Sequence, residues 1–468
     1  MTIRRLLAET AGLAASHLEG VPDRPVGGSA DVHELRSGLG GPLPEAAVDA
    51  MQVIGELAAA AEPGLVSSPG GRYFGFVIGG AAPAALAADW LTSAWDQNAG
   101  LFVCGPSAAV VEEVAGAWTA ELLGLPAEAS FGFVTGCQMA HVTGLAAARY
   151  RVLARSGWDV NDQGMIGAPA VRIFVGAERH VTIDRALRLL GFGSTSIASV
   201  AADEQGRMMP TALRDALARH DGPRIVCAQA GNVNTGSVDP LSEIADIARE
   251  SGAWLHIDGA FGLWAAASPA LRHLVADAHR ADSWATDAHK WLNVPYDSGI
   301  VFCADREAHR AAMSVTASYL VQADPDGPRD QLDWNPEFSR RARGFPVYAA
   351  IRSLGRTGVA ELVERCCAHA RRFGEELAAL PDIEILNDVV LNQVLVRFLD
   401  DAGDHDARTR AVIEAVQRDG TCWLSGTTWH GTAAMRISVS NWATTSQDVE
   451  RSLEAIQRAA AGVRVTRS

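Results

Sequence analysis

From about residue 86 to 340, apolar runs of four to six residues alternate with longer stretches whose apolar positions recur at helical spacing. Buried strands are predicted at 131–134, 171–175 (VRIFV), 224–229 (RIVCAQ), 253–258 (AWLHID), 283–286 and 299–303 (GIVFC), and helices over 106–124, 139–155, 210–220 and 240–251. Short apolar runs followed by helical repeats predict an α/β domain with a largely parallel sheet. Residues 1–85 read as an amphipathic helix and then a turn-rich segment broken by Gly27-Gly28, Gly40-Gly41 and Pro69-Gly70-Gly71. Beyond 340, a long helical stretch (344–379), strands within 383–399, a helix over 406–419, the alternating MRISVSN and a final helix over 446–460 predict a smaller α+β domain. The expected division is therefore 1–85, 86–340 and 341–468. DPDGPRD (324–330) and DDAGDHDAR (400–408) read as solvated loops, and no internal repeat is present.

With 468 residues, 48% hydrophobic and 20% charged, the chain has ample material for a core and does not read as disordered. No apolar run approaches the roughly 18–20 residues of a membrane span. Glu9 and His17 interrupt the N-terminal apolar stretch, which argues against a signal peptide. A formal charge of −15 disfavours nucleic acid or an anionic membrane as partner. Seven cysteines with no C-x-x-C pair fit a reduced, cytoplasmic chain better than a disulfide framework.

One composition fact changes the picture. Of 40 basic residues, 39 are arginine, and the single lysine is Lys290. A codon bias explains the loss of lysine from the surface, and chance explains one survivor. Chemistry offers the other explanation: arginine replaces lysine wherever only charge matters, but its guanidinium cannot act as an amine that loses its proton. Lys290 is thus a candidate nucleophile or Schiff-base lysine.

Its surroundings sharpen that candidacy. Lys290 follows a short strand in DSWATDAHKWLNVPYDSGIVF, and Asp258 closes another in AWLHID, followed by small Gly259 and Ala260. Ligands of parallel sheets gather at such strand ends. In FGFVTGCQMAHVTGL a third strand runs through Thr135-Gly136-Cys137-Gln138 into a helix, and free N–H groups at a helix start suit a phosphate. An amine, a strand-end carboxylate and a phosphate turn together ask for a phosphorylated aldehyde with a basic ring nitrogen, which is pyridoxal 5′-phosphate.

Over nearly its whole length the sequence resembles the group II pyridoxal-phosphate decarboxylases of fold type I, which include the aromatic amino acid, glutamate and diaminobutyrate decarboxylases. The likeness is carried by RYFGFVIGG (72–80), SAWDQNAGLFVCGPSAAVVE (93–112), GNVNTGSVDPLSEIADIARESGAWLHIDGAFG (231–262), DAHKW (287–291), ASYL (317–320), SRRARG (339–344) and RISVSNWATT (436–445). It implies a large domain with a mostly parallel seven-stranded sheet, a small C-terminal α+β domain and a homodimer with interlocking N-terminal helices. It also implies residue roles. Lys290 resembles the lysine that carries the cofactor, and Asp258 the carboxylate that pairs with the pyridine nitrogen. His180 resembles the histidine that stacks on the ring, although a lone histidine before a helix also reads as a cap. Ala260 resembles the small residue on the ring's other face, and His289 a phosphate ligand. Asp287 stands where relatives have Asn or Ser; an aspartate repels phosphate, so it is expected to point elsewhere.

Three departures stand out. VTGCQMAH replaces a turn usually like T-S-G-G-S-E-A-N, leaving Gly136, Cys137 and Gln138 to hold the phosphate. Asn232 replaces a threonine of a G-T-T triplet and is expected to reach the ring oxygen. The tyrosine that relatives carry on a mobile loop, where it helps protonate the carbanion, is absent from YLVQADPDGPRDQLDW (319–334) after Tyr319; Gln331 or Leu332 takes its position, and neither is an acid. A carbanion without that donor lives longer, and oxidation or transamination competes. The resemblance makes Phe76 and Phe102 candidates for an apolar or aromatic substrate pocket, and Arg436 a candidate for the substrate carboxylate or for a structural ion pair. The histidines show no H-x-x-x-H or Cys/His spacing, so no metal is expected. Decarboxylation of an amino acid is the leading expectation. The alternatives are decarboxylation coupled to oxidative deamination, another lyase or transaminase reaction, and a cofactor-binding regulator without catalysis.

Overall fold

The computed structural model describes residues 2–315 and 327–463. It forms two compact units: Met1–Ile78 with Arg372–Leu386 and Leu395–Ser468, and Gly79–Arg371 with Asn387–Val394.

The larger unit is built on seven strands: β1 (Ser130–Val134), β2 (Arg172–Gly176), β3 (Ile197–Val200), β4 (Arg224–Gln229), β5 (Trp254–Asp258), β6 (Ser283–Asp287) and β7 (Gly299–Cys303). They lie in the order β1-β7-β6-β5-β4-β2-β3, with only β7 antiparallel to its neighbours. β5, β6 and β7 are buried at every position, which explains why they read as unbroken apolar runs rather than alternations. The predicted strands and helices of this region are present within a few residues. β3 was not predicted, because IASV is half-exposed at the sheet edge and carries little apolar signal. The core includes the fully buried rings of Trp254, Trp264, Trp284, Phe133 and Phe302.

The smaller unit holds the helices Ile3–Gly20, Val32–Leu39 and Ala50–Ala61, so the N-terminal segment is more helical than its glycines suggested. Asp31 and Asp49 cap the second and third of these helices. A four-stranded sheet is ordered β10-β11-β9-β8, with β8 Ile383–Ile385, β9 Gln393–Phe398, β10 Ser425–Trp429 and β11 Thr432–Ser438. Gly355, at φ +63°, breaks the long helical stretch Gly344–Ala378 into two helices.

Two of the motifs quoted above meet in a buried ion pair. Arg340 Nη1 donates to Glu112 Oε1 and Oε2 at 2.8 and 2.9 Å and to the Ala99 carbonyl at 2.7 Å, and Nη2 donates to the Phe133 carbonyl at 2.5 Å. Both side chains are fully enclosed. Removing the guanidinium leaves Glu112 as an uncompensated buried acid, whose carboxyl burial already pushes upward in spite of Arg340. Arg340→Leu is therefore expected to cost about 3–5 kcal/mol in urea unfolding. A loss below about 1 kcal/mol would contradict this account of the pair.

Candidate active site

The parallel strands of the larger unit deliver their C-terminal ends to one edge, and almost every predicted site residue lies just beyond one of them. β1 leads to Gly136 and Cys137, β2 to His180, β4 to Asn232, β5 ends at Asp258, and β6 ends at Asp287, followed by His289 and Lys290. The ends of β5 and β6 are tied together: Gly259 N–H donates to the Ala285 carbonyl at 2.9 Å, and Asp287 N–H to the Ala260 carbonyl at 3.0 Å. Gly79 packs so closely on the lysine's backbone that a Cβ there would lie 1.6 Å from the Lys290 carbonyl oxygen.

Lys290 Nζ lies 3.1 Å from Asp287 Oδ2 and 6.0 Å from the centre of the Phe261 ring. Burial alone would strip its proton, but the carboxylates of Asp287 and Asp258 outweigh burial and hold the ammonium above the usual lysine range. Asp258 is buried at the end of β5, its Oδ1 accepting from Ala260 N–H at 3.1 Å. Burial pushes its carboxyl upward, yet His180 and Lys290, with the neutral His141 facing it, hold it below the usual aspartate range, so it is ionised. Burial lowers His289 despite the nearby Asp287, so its imidazole is neutral.

Several expectations need correction. Asp287 does not point elsewhere: it is buried, its Oδ1 accepts from Cys137 N–H at 2.6 Å, and the same oxygen lies 3.4 Å from His289 Nε2. A short acidic side chain three residues before Lys290, in a tight turn, folds back onto the helix start because the N–H groups there attract it. Asn232 has both amide hydrogens donated, to the Glu178 carbonyl (3.0 Å) and Gln229 Oε1 (3.1 Å), while its Oδ1 accepts from Asn234 and Thr235 N–H. Its amide holds the turn after β4 and has no hydrogen left for a ring oxygen. Against the expectation of no Cys/His spacing, Cys137 and His141 lie one helical turn apart. With Asp258 they form the one group of three metal-capable ligand atoms among the described residues, within 4.8 Å of one another.

His180 is the N-cap of the helix Val181–Leu189, with Nδ1 accepting from Thr182 N–H, so the capping role is real and the ring is half-buried. Gln138 Nε2 donates to the Thr182 carbonyl at 3.2 Å, while its Oε1 is buried with no partner. Phe102 is half-buried on a short turn, its N–H bonded to Asp330 Oδ1 at 2.7 Å. Phe76 and Arg436 belong to the smaller unit. There Phe76 sits at φ +53°, 5.5 Å from the Trp423 ring, and lines a cavity of about 560 Å³ with Tyr73. Arg436 is buried on β11. Gln331 and Leu332 are packed inward, Gln331 Nε2 donating to the Ala109 carbonyl. Tyr319 and ASYL lie outside the described residues. Tyr296, which no motif singles out, lies against His289 with ring centres 4.4 Å apart and the ring planes tilted by 31°.

Buried histidines make this unit acid-sensitive. Burial pushes His256 and His309 down to about 3, from 6.5. Between those values the unfolded chain binds protons that the folded chain refuses, so stability is present at neutral pH and lost on acidification. Between about pH 7 and pH 5 the expected loss is roughly 2 kcal/mol for each histidine. Urea midpoints that stay flat over this range would contradict the assignment.

An amine, an ionised carboxylate beside a small residue, and a glycine-led helix start fit a phosphorylated aldehyde with a basic ring nitrogen. Gly136 supports the fit: it caps the helix Cys137–Ala154 with no side chain, and a Cβ there would press to 3.2 Å of the His289 ring. Asp287 is the one residue that must adjust to a phosphate.

Comparison with known proteins gives the same class. The sequence model described as the pyridoxal-dependent decarboxylase conserved domain matches residues 33–399. An aromatic-L-amino-acid decarboxylase of Bacillus atrophaeus is 26% identical over 457 residues, covering 96% of this chain and 93% of the relative. A 4-hydroxyphenylacetaldehyde synthase of Rhodiola rosea is 27% identical over 418 residues, covering 86% and 83%. The crystal structure of Oryza sativa TDC with PLP and tryptamine superposes with a TM-score of 0.91 at 23% identity, covering 98% and 97% of the two chains.

Proposed function

Since the chain belongs to the pyridoxal-dependent decarboxylase family, with pyridoxal 5′-phosphate as its cofactor, we propose that it removes the α-carboxylate of an L-amino acid with an apolar or aromatic side chain. The observation that carries the reading is the single lysine of the chain, half-buried and 3.1 Å from Asp287, on the same sheet edge as the ionised Asp258. Lys290 is the amine that anchors the cofactor, and Asp258 the carboxylate that keeps its ring nitrogen protonated. Gly136, Cys137, Gln138 and His289 surround the phosphate, while His180 and Ala260 take the two faces of the ring. Bound there, the cofactor supplies a conjugated electron sink for the pair left when carbon dioxide departs.

The chain's own groups handle the protons. Lys290 must lose one before its nitrogen can bond to carbon, and Asp287 Oδ2 is in reach to take it. The Tyr296 phenol, next to His289, is the group offered for protonating the carbon after carbon dioxide leaves. Phe102 is proposed for the side-chain pocket. The likeness to an aromatic-L-amino-acid decarboxylase supports the substrate class, and a homodimer of this acidic chain is part of the same reading.

A second reading is favoured by Gln331 and Leu332, which bring no acid where relatives have a tyrosine, and by the likeness to an aldehyde synthase. In it the carbanion is oxidised by dioxygen and the products are aldehyde, ammonia, hydrogen peroxide and carbon dioxide. A screen of the common amino acids in air and under nitrogen separates the two. Decarboxylation predicts equal amine and carbon dioxide in both atmospheres. Aldehyde and peroxide that vanish under nitrogen would replace it with the second reading, and no carbon dioxide from any amino acid would remove both.

A further inference from the structure

We propose that a buried hydrogen-bond relay, Trp254–Ser283–His256–His141–Cys137, ends on the Asp258 carboxylate and positions it for the ring nitrogen. The inference rests on the reading of Asp258 given above. Trp254 Nε1–H donates to Ser283 Oγ at 2.9 Å, and that oxygen lies 2.8 Å from His256 Nδ1. His256 Nε2 is 2.9 Å from His141 Nδ1, and His141 Nε2 is 3.4 Å from Cys137 Sγ. Cys137 Sγ reaches Asp258 Oδ1 at 3.8 Å, while His141 Nε2 itself faces Asp258 Oδ2 at 3.6 Å. Every member is buried. Gly144, one turn beyond His141, makes room for the relay: a Cβ there would come within 3.1 Å of the His256 ring.

The two ends fix the direction of the protons. A carboxylate only accepts and an indole only donates. A bare lone pair on His141 Nε2 would face the Asp258 carboxylate, so Nε2 carries the hydrogen. A neutral His141 then accepts at Nδ1, which places the His256 hydrogen on Nε2 and leaves its Nδ1 to accept from the Ser283 hydroxyl. Burial keeps both imidazoles neutral and the Cys137 thiol protonated. Five donors in series thus point one way, each polarising the next. They hold Asp258 ionised and fixed in orientation without adding a charge. The charged or titratable groups interacting with that carboxylate from other elements include Lys290, His180, Asp239 and Cys227.

The test uses protein loaded with pyridoxal phosphate labelled with ¹⁵N in the ring, comparing wild type, Ser283→Ala, His141→Asn and Asp258→Asn. The readouts are the ring-nitrogen chemical shift and the cofactor dissociation constant, with circular dichroism to establish folding. Ser283→Ala removes a single oxygen and serves if His141→Asn does not fold. The relay predicts that both relay variants move the shift part of the way toward that of Asp258→Asn and weaken cofactor binding about tenfold, as for a lost hydrogen bond to a charged group. Wild-type shift and affinity in a folded relay variant, with Asp258→Asn shifted, would overturn the relay alone. An unchanged shift in Asp258→Asn would overturn the reading of Asp258, and the relay with it.

Discussion

Lys290→Arg is expected to lower turnover by at least about 10³-fold, and Lys290→Ala by as much, with both proteins folded. Arginine keeps the positive charge beside Asp287, so a site that needed only that charge would tolerate it. A site that needs an amine able to shed a proton would not, because guanidinium stays protonated. The structure makes the comparison clean: Lys290 Nζ pairs with Asp287 Oδ2 at 3.1 Å, and arginine can replace that pairing. Steady-state kinetics at saturating cofactor, with thermal midpoints to establish folding, check the expectation. Lys290→Arg activity within tenfold of wild type would contradict it.

Asp258→Asn is expected to lower kcat by about 10²–10³-fold. Asparagine keeps the shape, and its carbonyl can still accept from Ala260 N–H, so the change removes the charge and little else. The charge is what keeps a ring nitrogen protonated and the ring able to accept electrons. The ionised state of Asp258 is built against a burial penalty by His180 and Lys290, with the neutral His141 facing it, an arrangement costly enough to imply a use. A kcat within tenfold of wild type for Asp258→Asn, at saturating cofactor, would remove Asp258 from the chemistry.

Much of the fold was legible because its central strands are buried on both faces and therefore appear as short, unbroken apolar runs. β3 and β10 escaped for the opposite reason: IASV and SGTTW are part-exposed and carry polar residues. At the site, the placement of Lys290 and Asp258 at neighbouring strand ends was legible from chemistry and strand position. The orientation of Asp287 was not, because whether a carboxylate turns toward a helix start depends on the turn that carries it. Asn232 misled because an amide suits a turn and a ligand equally well, and here the turn takes all of its hydrogen-bonding atoms. His141 and His256 could have been found: the first lies one helical turn after Cys137, and the second two residues before Asp258 on the same face of β5. What joins them is a pairing between a helix and a sheet that no local pattern encodes.

The most direct test of the account takes advantage of the chain's single side-chain amine. Protein loaded with pyridoxal phosphate is reduced with borohydride, digested and mapped by mass spectrometry. The account predicts a phosphopyridoxyl mass on Lys290, within DAHKW, and loss of the visible absorption band on reduction. Unmodified Lys290 in a protein that has bound the cofactor would contradict it.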